Sequence, residues 1–255
     1  MTESILVSVE AGLARVTLNR PASLNAMGFE MAGRWRDVAR RVTADPAVGA
    51  VILDAAGPAF CAGGDVLEMA GATGVEVAAT ARVIHDGIRT LIESDKPAVA
   101  AVQGVVAGGG LGLMLAADYI VASERASFAS KYANIGLSPD LGVTTLLPAA
   151  VGQRRALRFL LQDVTIDAAT ALDWGLVSEV IEPDGVAARA AEVARSWLAG
   201  ATAAYGQAKR LVRVGADRTF AENLDDEARS IGALFDTDDA RARVAAFARG
   251  GKEAQ

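Results

Sequence analysis

The feature that most constrains the fold is a stretch of twenty uncharged residues, Ala98–Ala117, which contains five glycines. Its length alone suits a membrane-spanning helix. However, a glycine inside a helix costs about 1 kcal/mol relative to alanine, and Gly108–Gly110 are consecutive. We therefore predict a soluble protein in which the stretch divides into a buried strand over Ala98–Val102, a loop over Gln103–Gly110 and a helix over Leu111–Ala117.

Composition narrows the class of protein. The chain has 255 residues, of which 52% are hydrophobic, and a formal net charge of −6. This is enough material for one large domain, and the acidic balance argues against nucleic-acid binding. Cys61 is the only cysteine and His85 the only histidine, which excludes a disulfide framework and a site of several His or Cys metal ligands. With no basic leader at the N-terminus, we expect a cytoplasmic location.

Strand and helix patterns alternate in the first half of the chain, which indicates an α/β fold. A helical pattern with Asn25 as its candidate cap runs through Trp35, and another covers about Val75–Ile92. From about Leu141 the sequence predicts nearly all helix, interrupted by a strand-like Leu176–Ile181. Strand patterns at Ile5–Glu10 and Ala14–Asn19 predict a hairpin. The remaining strand patterns lie at Val48–Leu53, Ala98–Val102, Tyr119–Ala122 and Ser127–Ala129.

Two glycine-rich loops are the candidate site. They are Phe60–Val66 and Gly104–Gly112, and each is predicted to follow a buried strand, Val48–Leu53 and Ala98–Val102 respectively. Ligands bind at the carboxyl ends of strands in such folds, where free amides stabilise negative charge. Neither loop matches a dinucleotide, P-loop or nucleophile-elbow fingerprint. Two loops of this kind favour a pair of amides that converge on one oxyanion.

Five motifs in order resemble the crotonase, or enoyl-CoA hydratase/isomerase, superfamily. The resemblance implies an α/β fold built as a spiral of βαβ units over residues 1–195, followed by a helical trimerisation region over 196–255. It also implies a homotrimer or a dimer of trimers. The motifs are LNRPASLNAM (Leu18–Met27), PAFCAGGDV (Pro58–Val66), KPAVAAVQGVVAGGGLGLMLAAD (Lys96–Asp118), IGLSPDLGVTTLLPAAVG (Ile135–Gly152) and AATALDWGLVSEVI (Ala168–Ile181).

The resemblance further implies an acyl-CoA thioester substrate and no cofactor beyond the coenzyme A that the substrate carries. By motif position, the backbone N–H groups of Gly64 and Gly109 would form an oxyanion hole for the enolate. Each well-placed donor to an oxyanion is worth about 3–4 kcal/mol. The residues that would line the coenzyme A path are Leu24, Ala62, Asp65 and Val66.

The positions at which the family carries catalytic carboxylates point to one reaction. A family hydratase carries two glutamates, at the positions of Gly112 and Tyr132 in this chain, and both are absent. Asp140 remains, and it matches the aspartate of a subgroup of enoyl-CoA isomerases. One carboxylate suffices for a 1,3-proton shift, so we predict isomerisation with Asp140 as the proton shuttle. The alternative for Asp140 is a helix N-cap.

Other functions stay open at this point. Asp140 also matches the nucleophilic aspartate of 4-chlorobenzoyl-CoA dehalogenase, and His85 lies in register with the histidine that assists it. For a lone histidine, a packed or solvated helix residue is the competing interpretation. Enoyl-CoA hydration and a non-catalytic acyl-CoA-binding subunit are the remaining alternatives. Cys61 is interpreted as a small buried filler.

Overall fold

The computed structural model describes residues 3–216 and 218–253. Its strands are β1 (Ile5–Glu10), β2 (Leu13–Leu18), β3 (Ala50–Ala55), β4 (Ala59–Cys61), β5 (Ala98–Val102), β6 (Val105–Ala107), β7 (Tyr119–Ser123), β8 (Ser127–Ala129), β9 (Thr165–Asp167) and β10 (Glu179–Ile181). Its helices are α1 (Phe29–Ala44), α2 (Val66–Met69), α3 (Gly74–Glu93), α4 (Gly109–Leu115), α5 (Val143–Val151), α6 (Gln153–Leu161), α7 (Ala168–Trp174), α8 (Val186–Ala199), α9 (Thr202–Gly215), α10 (Phe220–Phe235) and α11 (Asp238–Glu253).

The larger sheet has the strand order β1-β2-β3-β5-β7-β10, and all its pairs are parallel except β1 with β2. The antiparallel pair is the predicted hairpin. Its two-residue turn places Ala11 and Gly12 at φ values of 48° and 83°, as the twist of a tight hairpin requires. The central strands β5 and β7 are almost wholly buried, which explains their continuous apolar sequence.

The smaller sheet has the order β4-β6-β8-β9, with β4, β6 and β8 parallel to one another and β9 antiparallel. Of these four strands, only β8 is predicted by the sequence pattern. The loop predicted at Gln103–Gly110 contains β6, the loop before Gly64 contains β4, and β9 lies in the half predicted as nearly all helix. Each strand has three residues, which is too short for a periodic pattern to develop.

The helix after the triple glycine also differs from the prediction of Leu111–Ala117. α4 begins at Gly109 and ends at Leu115, so Gly109 and Gly110 are its first two residues. A Cβ on Gly110 would overlap the carbonyl oxygen of Cys61. Gly110 is therefore required because β4 packs directly on the helix backbone, and this packing overrides the poor helix propensity of glycine. Similarly, the predicted strand Leu176–Ile181 shortens to β10.

Helices cover the larger sheet on both sides. α1 and α3 pack together over the main core, in which Trp35 is 2% exposed. α8 covers the opposite face of β3, β5 and β7. The predicted boundary between residues 195 and 196 falls inside α8, and the division into two regions stays a prediction. Among the described residues, no helix is both long enough and apolar enough to cross a membrane.

A buried cation fastens the C-terminal helices to the core. Lys209 on α9 donates hydrogen bonds to the carbonyl oxygens of Leu91 and Lys96, at 2.8 and 2.7 Å. Its ammonium group also lies 3.2 Å from the carboxylate of Asp118. Burial lowers the pKa of Lys209, and the charge on Asp118 opposes this effect. The bonds attach α9 to the end of α3 and to the turn that precedes β5.

Candidate active site

The candidate site lies at the carboxyl edge of the smaller sheet. β4, β6 and β8 are parallel neighbours, so the residues that follow them meet at one edge. Both glycine loops therefore extend from short strands of this sheet and not, as predicted, from Val48–Leu53 and Ala98–Val102. A Cβ on Gly63 would lie 3.4 Å from the backbone nitrogen of Gly109. The two loops are thus in direct contact.

The N–H group of Gly64 points away from its own strand partner. Met27 pairs with Gly64 in a parallel bridge. The bridge is made by the Met27 N–H donating to the Gly63 carbonyl oxygen at 2.8 Å and by the Asp65 N–H donating to the Met27 carbonyl oxygen at 3.1 Å. In such a pair the intervening residue directs its own N–H to the opposite side. Gly64 therefore has an amide available to a ligand.

The N–H group of Gly109 is available for a different reason. Gly109 is the first residue of α4, and the first N–H groups of a helix have no intrahelical acceptor. The preceding Gly108 adopts φ 50° and ψ −125°, and its N–H donates to the Ala129 carbonyl oxygen of β8 at 3.1 Å. Within residues 3–216 and 218–253, neither Gly64 nor Gly109 donates its N–H to a protein acceptor.

Asp140 lies beside Gly109. Its Oδ1 is 3.8 Å from the point that a Cβ on Gly109 would occupy, and the side chain of Leu141 packs on the same glycine. The proposed N-cap role of Asp140 is wrong. α5 begins at Val143, and its N-cap is Gly142 in the left-handed conformation without a side-chain hydrogen bond. The carboxylate of Asp140 is therefore turned to the site, not to the helix.

A buried tyrosine contacts the same carboxylate. Tyr132, which is 8% exposed, donates its hydroxyl hydrogen to Oδ1 of Asp140 at 2.7 Å. Burial, and then the negative charge of Asp140, raise the pKa of Tyr132 well above its usual range. The phenol is therefore a permanent hydrogen-bond donor at any ordinary pH, and it fixes one oxygen of the carboxylate.

No side chain fits at Gly112. A Cβ built there would overlap the carbonyl oxygen of Leu141 and lie 2.7 Å from its Cβ. The turn that carries Asp140 thus packs directly on the backbone of α4 at Gly109 and Gly112. Leu141 is not predictable as a site residue from the sequence, because a leucine that precedes a glycine in a turn has no chemical feature that indicates such a role.

His85 on α3 joins the same turn from the outside. Its imidazole is exposed, and Nε2 accepts a hydrogen bond from the Leu141 N–H at 3.1 Å. The structure therefore brings His85 next to the segment of Asp140, as the register with the dehalogenase motif suggests. The contact is made to the backbone of Leu141, and the nitrogen that faces the site is already engaged.

The residues predicted to line the coenzyme A path lie on two neighbouring segments, the one around Leu24 and the first glycine loop. The Ala62 N–H donates to the Leu24 carbonyl oxygen at 3.0 Å, which sets the two segments side by side. Leu24 and Val66 are 43% and 50% exposed. Asp65 has other contacts: its carboxylate pairs with Arg20 at 2.9 Å and caps α2. A role in coenzyme A binding stays a prediction for these residues.

Two further side chains, both buried, pack beside or within the first glycine loop. Asn25, which the sequence suggested as a helix cap, is instead fully buried, and its amide donates to the carbonyl oxygens of Ala56 and Ala59. α1 begins with Gly28 as its N-cap. Cys61 is also fully buried, and burial raises the pKa of its thiol to about 12. It is therefore a packing residue and not a nucleophile.

The fold and the site define an α/β protein with two available main-chain amides on loops that touch each other, and with a carboxylate beside the amide of Gly109. The family model described as "Enoyl-CoA hydratase/isomerase" matches residues 8–254. The chain therefore belongs to the enoyl-CoA hydratase/isomerase family, and the fold and family expected from its motifs are confirmed.

Individual relatives carry different activities. The chain is 34% identical to a probable enoyl-CoA hydratase of Rhizobium meliloti (strain 1021), over 96% of this chain and 95% of the relative. It is 32% identical to the 1,2-epoxyphenylacetyl-CoA isomerase of Escherichia coli (strain K12), over 88% and 87%. It is also 32% identical to 4-chlorobenzoyl coenzyme A dehalogenase-2 of Arthrobacter sp., over 88% and 84%.

A solved structure shows the same fold. The crystal structure of a candidate enoyl-CoA hydratase/isomerase from Mycobacterium abscessus superposes with a TM-score of 0.91 at 35% identity, covering 96% of each chain. Because these relatives differ in reaction, the reaction of this chain has to be inferred from its own residues.

Proposed function

We propose that this acyl-CoA enzyme isomerises the double bond of an enoyl-CoA, with Asp140 as the group that moves the proton. The observation that carries the proposal is the position of Asp140 Oδ1, 3.8 Å from the Cβ point of Gly109. A carboxylate is thereby set beside an amide that is free to bind a thioester oxygen. The reaction needs no cofactor other than the coenzyme A of the substrate.

The proposed chemistry divides between backbone and side chain. The thioester oxygen accepts hydrogen bonds from the N–H groups of Gly64 and Gly109. Asp140 removes a proton from C2 of a 3-enoyl-CoA, and the electron pair moves into the dienolate, whose negative charge collects on the thioester oxygen. The protonated Asp140 then returns the proton to C4, which yields the 2-enoyl-CoA. Atoms and charge balance, and the enzyme ends in its starting state.

Hydration is the weaker alternative because it requires more groups than the site provides. It needs a water to be deprotonated while a proton is delivered to the α-carbon, for which the family hydratase uses two glutamates. Tyr132 takes one of those positions and donates a hydrogen bond to Asp140. At the other position, Gly112 leaves no space for any side chain. Both observations support a mechanism with one carboxylate.

One observation favours the dehalogenase alternative: His85 bonds to the turn that carries Asp140. In that reaction a histidine assists a nucleophilic aspartate. Here Nε2 of His85 accepts a hydrogen bond from the Leu141 N–H, so this nitrogen is not free to activate water. One oxygen of Asp140 is in turn engaged by Tyr132. These contacts favour proton transfer over nucleophilic attack.

We also propose that the chain assembles as a homotrimer or a dimer of trimers through its C-terminal helices. Large apolar side chains stand exposed on α10 and α11, among them Phe220 at 80%, Ile231 at 71% and Phe247 at 86%. Such exposure is unfavourable in a monomer and is typical of an interaction surface. Light scattering of the wild type and of Ile231→Glu tests this. A trimer that the substitution dissociates supports the proposal, and a monomeric wild type contradicts it.

A panel of four thioesters tests the proposed activity. Purified protein is incubated with cis-3-enoyl-CoA, trans-3-enoyl-CoA, trans-2-enoyl-CoA and 4-chlorobenzoyl-CoA, and the products are separated by chromatography and mass. We expect interconversion of the 3-enoyl and 2-enoyl thioesters without a change in mass. Rapid gain of 18 mass units would assign a hydratase, and release of chloride a dehalogenase. Binding without conversion would assign a non-catalytic subunit.

A further inference from the structure

The geometry points to His85 as a positioning residue that fixes the Asp140–Leu141 turn over the oxyanion amides and releases it when the imidazole is protonated. This inference rests on the proposed role of Asp140. The linking contact is the hydrogen bond in which the Leu141 N–H donates to Nε2 of His85 at 3.1 Å. His85 does not touch the substrate in this account and acts only through the backbone.

Leu141 holds a conformation that needs support. Its φ is 52°, in the left-handed region that residues with a side chain rarely adopt. In this conformation its side chain packs on Gly109 and its carbonyl oxygen on the backbone at Gly112. Asp140 is the preceding residue, so rotation of Leu141 to an ordinary conformation would move the carboxylate away from Gly109. The bond to His85 opposes that rotation.

The bond exists in only one protonation state of the imidazole. Nε2 accepts a hydrogen bond when it is unprotonated, in which case the hydrogen of the ring is on Nδ1. In the imidazolium ion both nitrogens are donors. The Leu141 N–H is itself a donor. Protonation of Nε2 therefore replaces the hydrogen bond by two N–H groups that face and repel each other. The turn then loses its contact with α3.

Charged side chains from α1 and α3 surround His85. A cavity of about 540 Å³ between α1 and α3 is lined by His85, Val83, Asp86 and the guanidinium groups of Arg36, Arg82 and Arg89. Asp86 pairs with Arg40 and Arg89, and Arg36 pairs with Asp37. Among the described residues Arg82 has no ion pair. On the turn itself the ionisable group is Asp140, which accepts a hydrogen bond from Tyr132 on the segment that follows β8.

Two substitutions at the same position separate positioning from mere packing. His85→Gln keeps an acceptor at a similar reach but cannot be protonated, whereas His85→Leu keeps the bulk and removes the acceptor. Glu93→Gln, at the exposed C-terminal end of α3, is the control for a change in charge on this helix. Each protein is assayed as the intact oligomer for kcat and KM from pH 5 to 8. Hydrogen–deuterium exchange of the peptide that contains Leu141 is measured without substrate.

We expect His85→Leu to lower kcat at least tenfold at pH 8 with little change in KM, and His85→Gln to retain most of kcat. Exchange at Leu141, corrected for its intrinsic pH dependence, should rise at acid pH in the wild type, be high throughout in His85→Leu and stay low in His85→Gln. Equal exchange in all three proteins would overturn the inference. So would a His85→Gln enzyme as impaired as His85→Leu.

The two readouts separate this inference from the proposed function. If the protein lacks isomerase activity but the exchange pattern appears, the reaction assignment fails and the link between His85 and Leu141 stands. If isomerase activity is present and neither His85 variant changes kcat or exchange, the positioning role fails and the role of Asp140 stands.

Discussion

The phenolic oxygen of Tyr132 lies 2.7 Å from Oδ1 of Asp140 and donates its hydrogen to it. The tyrosine follows β8 and the aspartate precedes α5, so the contact joins two segments that meet only at the site. The bond fixes Oδ1, the carboxylate oxygen that lies 3.8 Å from the Cβ point of Gly109, and leaves Oδ2 free of this contact. A tyrosine at a position where the family hydratase has a glutamate thus supports the carboxylate that the chain does have.

Loss of this donor should impair turnover without preventing folding. In Tyr132→Phe, Asp140 loses a hydrogen bond to a charged group, which is worth about 1.5–3 kcal/mol. We expect kcat for enoyl-CoA isomerisation to fall about 10- to 100-fold with KM nearly unchanged. Tyr119→Phe is the matched control, because Tyr119 also donates to a carboxylate, that of Glu179, outside the site. Equal effects of the two substitutions, or none at Tyr132, would remove Tyr132 from the mechanism.

The packing at Gly112 predicts that adding a methyl group there lowers the free energy of unfolding, whereas the same change at a control glycine raises it. Gly112→Ala places a methyl group against the Leu141 carbonyl oxygen, and such overpacking costs about 1–3 kcal/mol. In contrast, Gly33 in α1 has no atom within 4 Å of its Cβ point. Gly33→Ala should therefore stabilise the protein by about 0.4–1 kcal/mol. Urea unfolding measures both. A Gly112→Ala protein as stable as the wild type would contradict the packing.

The same packing predicts that a glutamate cannot be restored at this position. Gly112→Glu should lower the unfolding midpoint at least as much as Gly112→Ala and should produce no 3-hydroxyacyl-CoA. Leu141 would have to leave its place to admit the side chain, and Asp140 would move with it. The measurement is product analysis after incubation with trans-2-enoyl-CoA. Hydratase activity in Gly112→Glu would contradict this prediction, because it would show that the Asp140–Leu141 turn can move to admit the side chain.

Sequence patterns anticipated the long elements and missed the short ones. The hairpin of β1 and β2 and the helices α3 and α8 follow from alternation, helical period and turn residues. The three-residue strands β4, β6 and β9 do not, because their pairing is decided by distant partners. Motif resemblance nevertheless singled out Gly64, Gly109 and Asp140, which lie on segments that contact one another. Their catalytic roles stay predictions.

The contacts that organise the site escaped prediction for a similar reason. Leu141 controls the position of Asp140 by its backbone conformation and by its N–H bond to His85. Neither property is encoded in a residue type, because a leucine with a left-handed φ is an exception to local preference. Asn25 was placed at a helix terminus, yet its amide supports the strand before the glycine loop. Tertiary context decides both cases.

The buried thiol of Cys61 makes stability fall with rising pH. Burial raises its pKa from 9.0 to about 12, so between these values the folded protein keeps a proton that the unfolded chain loses. The contribution is therefore complete below pH 9 and is lost as the pH rises through the pKa of the folded state. Its slope is about 1.4 kcal/mol per pH unit.

Cys61→Ser isolates this effect because serine does not titrate in the same range. Urea unfolding under reducing conditions at pH 8 to 10 should show a slope above pH 9 that is shallower in Cys61→Ser than in the wild type. Restricting the range to pH 10 keeps Tyr132 protonated in both folded and unfolded chains for most of the titration. Identical slopes would mean that the thiol is not protected as its burial indicates.

Whether Asp140 moves the proton is tested by the rate of cis-3-enoyl-CoA isomerisation by Asp140→Asn, measured beside calorimetric binding of the same thioester. An amide keeps the shape of the carboxylate but cannot accept and return a proton. We predict that kcat falls by a factor of about 10³ or more, since general acid–base catalysis contributes about 10²–10⁴-fold, while the dissociation constant changes less than threefold. Turnover at the wild-type rate with unchanged binding would show that another group moves the proton.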